Sequence, residues 1–160
     1  IINKMKKIKI LIPIYNDWQS VLKLLENINL EVSNLDAEFS VIIVNDASNE
    51  NRPKFSFNFN NFKAIKIINM KENRGHARCN ASGLKYIIEN EEFDYVIPMD
   101  GDGEDRPEEI KFFFDNLNYS PDIPIVGERV KRSEGLFFKL CYLIHKIITI
   151  VFTGQSIKLE

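Results

Sequence analysis

The chain has 160 residues, 44% of them hydrophobic and 28% charged, with a formal net charge of −2. That balance suits one folded domain with a sizeable core and excludes the general basic field that nucleic-acid binding needs. Its two cysteines, Cys79 and Cys141, show no paired spacing and read as free thiols in a reducing compartment, not as a disulfide framework or a zinc site.

The start, Ile1 to Lys9, is basic and leads straight into a short apolar strand, which is not the pattern of a signal peptide. Ile8 to Ile12 is that strand, stopped by Pro13. From Trp18 to Leu30, apolar residues at Trp18, Val21, Leu22, Leu24, Leu25 and Ile28 share one helical face, with Asn16 or Asp17 as N-cap. Val41 to Val44 is a second strand, the Asn/Phe-rich stretch 55–62 a surface connection, and Ala64 to Ile68 a third strand. Ala77, Ala81, Leu84 and Ile88 mark a helix entered at Gly75. Tyr95 to Met99 is a fourth strand, Arg106 to Leu117 a helix with Pro107 in its first turn, and Ile123 to Val126 a fifth strand. In Leu136 to Phe152 the polar residues Lys139, Tyr142, Lys146 and Thr149 form one narrow stripe. Such a stripe suits a helix lying in a membrane interface, or one packed on the sheet. Two Lys and His145 argue against a spanning helix.

Continuously apolar strands separated by helices predict a three-layer α/β domain, a mostly parallel sheet with helices on both faces. The expectation is a single domain, 1–160, with 134–153 as the amphipathic interface helix. In such a sheet ligands bind outside the carboxyl ends of the strands. Those ends read Pro13 to Asp17, Asn45 to Ser48, Glu72 to Gly75, Asp100 with Asp102, and Gly127 to Arg129.

Asp100-Gly101-Asp102 carries the most chemistry. Two carboxylates that close destabilise each other unless a cation sits between them. Mg²⁺ and Mn²⁺ prefer such oxygens, and Mg²⁺ takes one or two carboxylates plus substrate phosphates. The alternative is an ordinary Asp-Gly turn. No Gly-x-Gly-x-x-Gly follows the first strand and no Gly-Lys-Ser/Thr loop occurs, so a phosphate ligand must be neutralised in another way. Glu104 is near enough in sequence to add a metal ligand. Tyr15 offers an aromatic face to a base, or packs as a rim aromatic on the first helix. Asp46 accepts from a base or sugar, or caps a turn. Arg129 and Arg132 match phosphate oxygens, or are solvated charges. His76 touches phosphate, or is a partly exposed structural histidine.

Five motifs then fall in order. Ile12-Pro13-Ile14-Tyr15-Asn16-Asp17 resembles the Val-Pro-x-Tyr-Asn-Glu opening of family 2 glycosyltransferases. Val44-Asn45-Asp46-Ala47-Ser48 resembles their Val-Asp-Asp-Gly-Ser, and Asn73-Arg74-Gly75-His76-Ala77 with Asn80 and Gly83 their Asn-x-Gly-x-x-x-Ala-x-Asn-x-Gly. The stretch from Asp100 to Glu108 is similar to the Asp-Ala-Asp-Leu-Gln-x-Pro-Pro-Glu of the polyprenyl-phosphate branch, and Gly127-Glu128-Arg129 to its Gly-x-Arg.

The resemblance implies a GT-A fold and transfer of a sugar, with inversion, from a UDP- or GDP-linked donor. A polyprenyl phosphate or a cell-envelope glycan is the implied acceptor, at the cytoplasmic face of a membrane. Carried over to these positions, Tyr15 and Asp46 bind the base, and Pro13, Asp17 and Arg74 complete the nucleotide site. Asp100 serves the ribose or the metal side. Asp102, with Glu104 in place of the family's Gln, holds Mg²⁺ or Mn²⁺, and Arg129 binds phosphate; Asp100, Asp102 and Arg129 form the catalytic set. Asn45 and Ala47 depart from the family's Asp and Gly, and Lys158-Leu159-Glu160 stands where a further Asp is expected. Two rivals are a sugar-phosphate nucleotidyltransferase, whose Gly-rich basic loop is missing from Pro13 to Trp18, and a non-catalytic nucleotide-sugar-binding module, suggested by Asn45 and the chain's length.

Overall fold

A computed structural model describes residues 5–54, 58–117 and 123–127, together with 141, 143, 144 and 148. They belong to two units, residues 1–123 and 124–160. In the first unit, β1 (Lys6–Ile14), α1 (Trp18–Glu31), β2 (Ala37–Asn45), β3 (Phe62–Asn69), α2 (His76–Asn90), β4 (Tyr95–Pro98) and α3 (Glu109–Asn116) follow in chain order, with a 3₁₀ turn at Val32–Asn34. Four strands form one sheet in the order β3-β2-β1-β4, and every pairing is parallel.

β1 and β2 are central, and both their faces are covered. Ile8, Ile10, Leu11, Ile12, Phe39, Val41, Ile42, Ile43 and Val44 are all at most 1% exposed. This explains why those strands read as unbroken apolar runs instead of alternating ones. The connection from β1 to β2 steps one way across the sheet, and that from β3 to β4 returns past both. Because parallel crossovers are right-handed, the two connecting helices must lie on opposite faces. The contacts agree. On one face, Gly83 of α2 approaches Leu11 and Val44 so closely that an added Cβ would sit 2.7 Å from Val44 Cγ2. Leu11, Ile42, Val44, Cys79 and Ile87 close that layer. On the other face, Val21 of α1 and Ile12 of β1 both border Gly101, and α1 buries Trp18, Val21, Leu24, Leu25 and Ile28. The expected three-layer arrangement is therefore the observed one.

Three expected elements differ. The first strand does not stop at Pro13 but runs on to Ile14, with Pro13 in register with Val44. Residues 123–127 form no strand. Pro124 removes a ladder donor from the middle of that short segment, which outweighs its apolar residues. The third helix begins at Glu109 instead of Arg106, because Arg106 and Pro107 close tight i→i+3 turns onto Glu109 and Ile110. Asp17 occupies the N-cap position of α1 but makes no side-chain cap bond. In the second unit, Cys141, Leu143, Ile144 and Ile148 are helical and exposed; the stripe Lys139, Tyr142, Lys146 and Thr149 lies outside the described residues, as do Glu128, Arg129 and Arg132. No helix among the described residues is long and apolar enough to cross a membrane.

Candidate functional site

The chain order makes one place special. β1, β2 and β3 are laid down in one direction, and β4 then docks on the free side of β1. The switch point lies between β1 and β4, where the loops leaving the two strands diverge and open a crevice. A crevice of about 180 Å³ sits there. Pro13, Ile14, Tyr15 and Asp17 line it from the end of β1 and Val21 from α1; Asp100, Gly101 and Asp102 close it from the end of β4, and His76 from the start of α2.

Each wall has a local cause. Gly101 is pressed against β1: a Cβ there would meet Val21 Cγ2 at 2.9 Å and the Pro13 carbonyl at 3.1 Å. Only glycine lets the acid loop pass this close to the first strand. Gly103 follows at φ +84° and turns the chain so that Asp102 Oδ1 accepts the Glu104 N–H at 2.9 Å. Asp105 Oδ2 accepts the Asp100 N–H at 2.7 Å. Across from this loop, His76 Nε2 lies 3.4 Å from Asp100 Oδ1 and 2.9 Å from Asn80 Nδ2.

Of the residues expected at the site, Pro13, Tyr15, Asp17, Asp100 and Asp102 are brought together around the crevice, and Asp46, Arg74 and Glu104 do not line it. Asp46 is 3% exposed. Its Oδ1 accepts the Arg74 N–H at 2.9 Å and its Oδ2 the Gly75 N–H at 2.8 Å. It therefore anchors the loop that delivers His76 and the start of α2. The Arg74 guanidinium pairs with Glu72. The expected metal set of Asp100, Asp102 and Glu104 does not converge: among the described residues no three His, Cys, Asp or Glu side chains gather as a metal cluster. Asp102 is instead tied to the Glu104 backbone. What remains is the pair Asp100 and Asp102, which fits an ion that takes one or two carboxylates and completes its shell with substrate phosphate and water.

Cys79 is no nucleophile. Its Sγ donates to the Val44 carbonyl at 3.3 Å, and burial, reinforced by the Asp46 charge, pushes the thiol up to about 11.

Three residues that the sequence marked only as an N-cap candidate or as parts of strand ends and motifs form a network it did not show. Asn16 Oδ1 accepts the N–H groups of Asn49 at 2.7 Å and Glu50 at 3.2 Å, and its own N–H donates to Ser48 Oγ at 2.9 Å. Ser48 and Asn45 continue that network. Asn16 had one sequence signal, since Asn tolerates the left-handed backbone it adopts at φ 58°. Nothing local pointed to its partners.

A parallel sheet, helices on both faces and an acid-lined crevice at the β1/β4 switch point make this a doubly wound α/β fold, and the family and structural matches that follow place it in the GT-A class. The chain belongs to glycosyl transferase family 2, whose pattern matches residues 9–153. It is 28% identical over 155 residues to the undecaprenyl-phosphate 4-deoxy-4-formamido-L-arabinose transferase of Proteus mirabilis, covering 96% of this chain and 46% of that protein. The enzyme of the same name from Photorhabdus laumondii is 27% identical, again over 96% of this chain and 46% of that protein. The chain thus spans about half the length of the curated relatives it matches. Among solved structures, S. aureus TarS 1–349 in complex with UDP-GlcNAc aligns at a TM-score of 0.55 with 20% identity, over 83% of this chain and 38% of that one. TarS 1–349 alone gives 0.55 and 19%, over 79% and 39%. At that identity the likeness carries the fold alone.

Proposed function

We propose that this chain is the donor-binding part of a glycosyltransferase that takes a sugar from a nucleoside-diphosphate donor, with inversion, and passes it to a polyprenyl phosphate at a membrane surface. The observation that carries the reading is the crevice itself: two carboxylates on one lip, an exposed aromatic ring on the other, at the one switch point of the sheet.

On this reading Tyr15, 46% exposed, presents its ring to the base, with Pro13 and Asp17 beside it. Asp46, buried behind the crevice wall, serves the nucleotide through the Arg74 loop that it holds. Asp100 and Asp102 hold Mg²⁺ or Mn²⁺ against the diphosphate, Asp102 being oriented by the Glu104 N–H. Such an ion, when bound, supplies Lewis-acid neutralisation of the departing nucleoside diphosphate. Arg129 adds a guanidinium for phosphate oxygens. A phosphate acceptor is already anionic at neutral pH, so the site needs no strong general base. The names of the Proteus and Photorhabdus relatives support the lipid-linked acceptor, and the UDP-GlcNAc complex of TarS supports UDP as the first nucleotide to try.

Calorimetry with UDP- and GDP-sugars, with and without Mn²⁺, tests this. Binding is expected to need the ion, and Asp102→Ala to weaken it by at least about tenfold. Binding that ignores the ion, or survives that substitution undiminished, overturns the metal-diphosphate assignment.

A further inference from the structure

Asn45 ends the second strand, and the structure gives its amide a task that uses both its ends. It terminates β2 in register with Ile14 of β1 and Asn69 of β3. Its Nδ2 donates to Asn69 Oδ1 at 2.9 Å. Its Oδ1 accepts the Ser48 hydroxyl at 2.5 Å and the Ser48 N–H at 3.0 Å. Ser48 Oγ, having donated its proton to Asn45, accepts the Asn16 N–H at 2.9 Å. The bonds therefore run in one direction, Asn16 to Ser48 to Asn45 to Asn69, and every donor meets an acceptor. Asn16 is the residue between Tyr15 and Asp17, and Asn49, gripped by Asn16 Oδ1, reaches the Tyr15 hydroxyl with its Nδ2 at 3.4 Å.

The relay also brackets two left-handed residues, of which Ala47 is the strained one. Asn16 at φ 58° and Ala47 at φ 56° are both left-handed without being glycine. Such a backbone persists only where the surroundings over-determine it. We propose that Asn45 is a positioning residue for the nucleoside side of the crevice, fixing the Tyr15 ring for the base through Ser48 and Asn16. This inference rests on the function proposed above.

The test is calorimetry on the 160-residue chain with UDP and with GDP, each with Mn²⁺. Asn45→Ala is expected to weaken the preferred nucleotide by about tenfold, the loss of roughly one hydrogen-bonded link. Asn45→Asp restores the acceptor for Ser48, and the exposed Asn69 amide can turn to donate, so affinity should return to within about threefold of the native chain. In a Tyr15→Ala background Asn45→Ala should add almost nothing, because both act through the same ring. A role in stability alone would leave nucleotide affinity unmoved in the native background, or give the same loss in both backgrounds, and either result overturns the proposal. If Asn45→Ala does not fold, Ser48→Ala breaks the same relay and must give the same non-additive loss. A native chain that binds neither nucleotide overturns the donor-site reading and this inference with it. A native chain that binds while Asn45→Ala and Ser48→Ala bind equally well overturns the inference alone.

Discussion

Asp46 is the residue whose removal should be felt most. Asp46→Ala deletes a carboxylate that is 3% exposed and accepts two backbone N–H groups, at 2.9 and 2.8 Å. A hydrogen bond to a charged group contributes about 1.5–3 kcal/mol, so the pair sums to roughly 3–6 kcal/mol. Arg74 and Gly75 are themselves exposed, so water can re-hydrate both N–H groups once the acceptor is gone. The expected net loss is therefore smaller, about 2–4 kcal/mol. With a urea m-value of about 2 kcal/mol per molar, the unfolding midpoint should fall by roughly 1–2 M. Trp18, the one tryptophan of the chain and buried at the start of α1, gives the fluorescence signal. Asp46→Asn keeps one acceptor oxygen and turns an NH₂ toward the other N–H, so it should lose at least half as much. An Asp46→Ala midpoint within about 0.3 M of the native chain would refute the claim that this carboxylate anchors the start of α2.

Ala47 sits at φ 56°, where a side chain costs about 1 kcal/mol and glycine does not. Allowing for glycine's greater unfolded freedom, Ala47→Gly should stabilise by about 0.5 kcal/mol and raise the thermal midpoint by roughly 1–2 °C; a lowered midpoint contradicts the strain argument. At the opposite end of the sheet, a hydrogen bond from Lys66, joined by one from Lys9, holds the Glu91 carboxyl below its ordinary value against the upward pull of burial. A group lowered on folding contributes fully above its unfolded pKa and loses that contribution as pH falls through the lowered folded value. Urea unfolding of Glu91→Gln should therefore show its full deficit at neutral pH and a deficit that shrinks below about pH 4.5, the unfolded value. A deficit independent of pH would show that the carboxylate's charge is irrelevant there.

Much of this protein is legible in its residues one segment at a time. Strands buried on both faces must be apolar without interruption, so β1 and β2 announce themselves, and α1 shows its buried stripe at helical spacing. Asp100 and Asp102 stand at a strand end by sequence alone, and that was enough to mark them. The expected fifth strand shows where this reasoning stops, because hydrophobicity without regard to Pro124 overstates what a segment can pair.

The tertiary structure decided which strand ends meet. The order β3-β2-β1-β4 puts the ends of β1 and β4 side by side, which makes Asp100 and Asp102 neighbours of Tyr15 and Asp17 across some 85 residues of chain. It also gave Asp46 its partners 28 and 29 residues away and Asn16 its partners more than 30 away. Side-chain polarity can be read from the sequence, but a hydrogen-bond partner is fixed by strand register. Register follows from packing the whole sheet, where a one-residue slip would move every side chain to the opposite face and break its fit against the helix layer it now packs on.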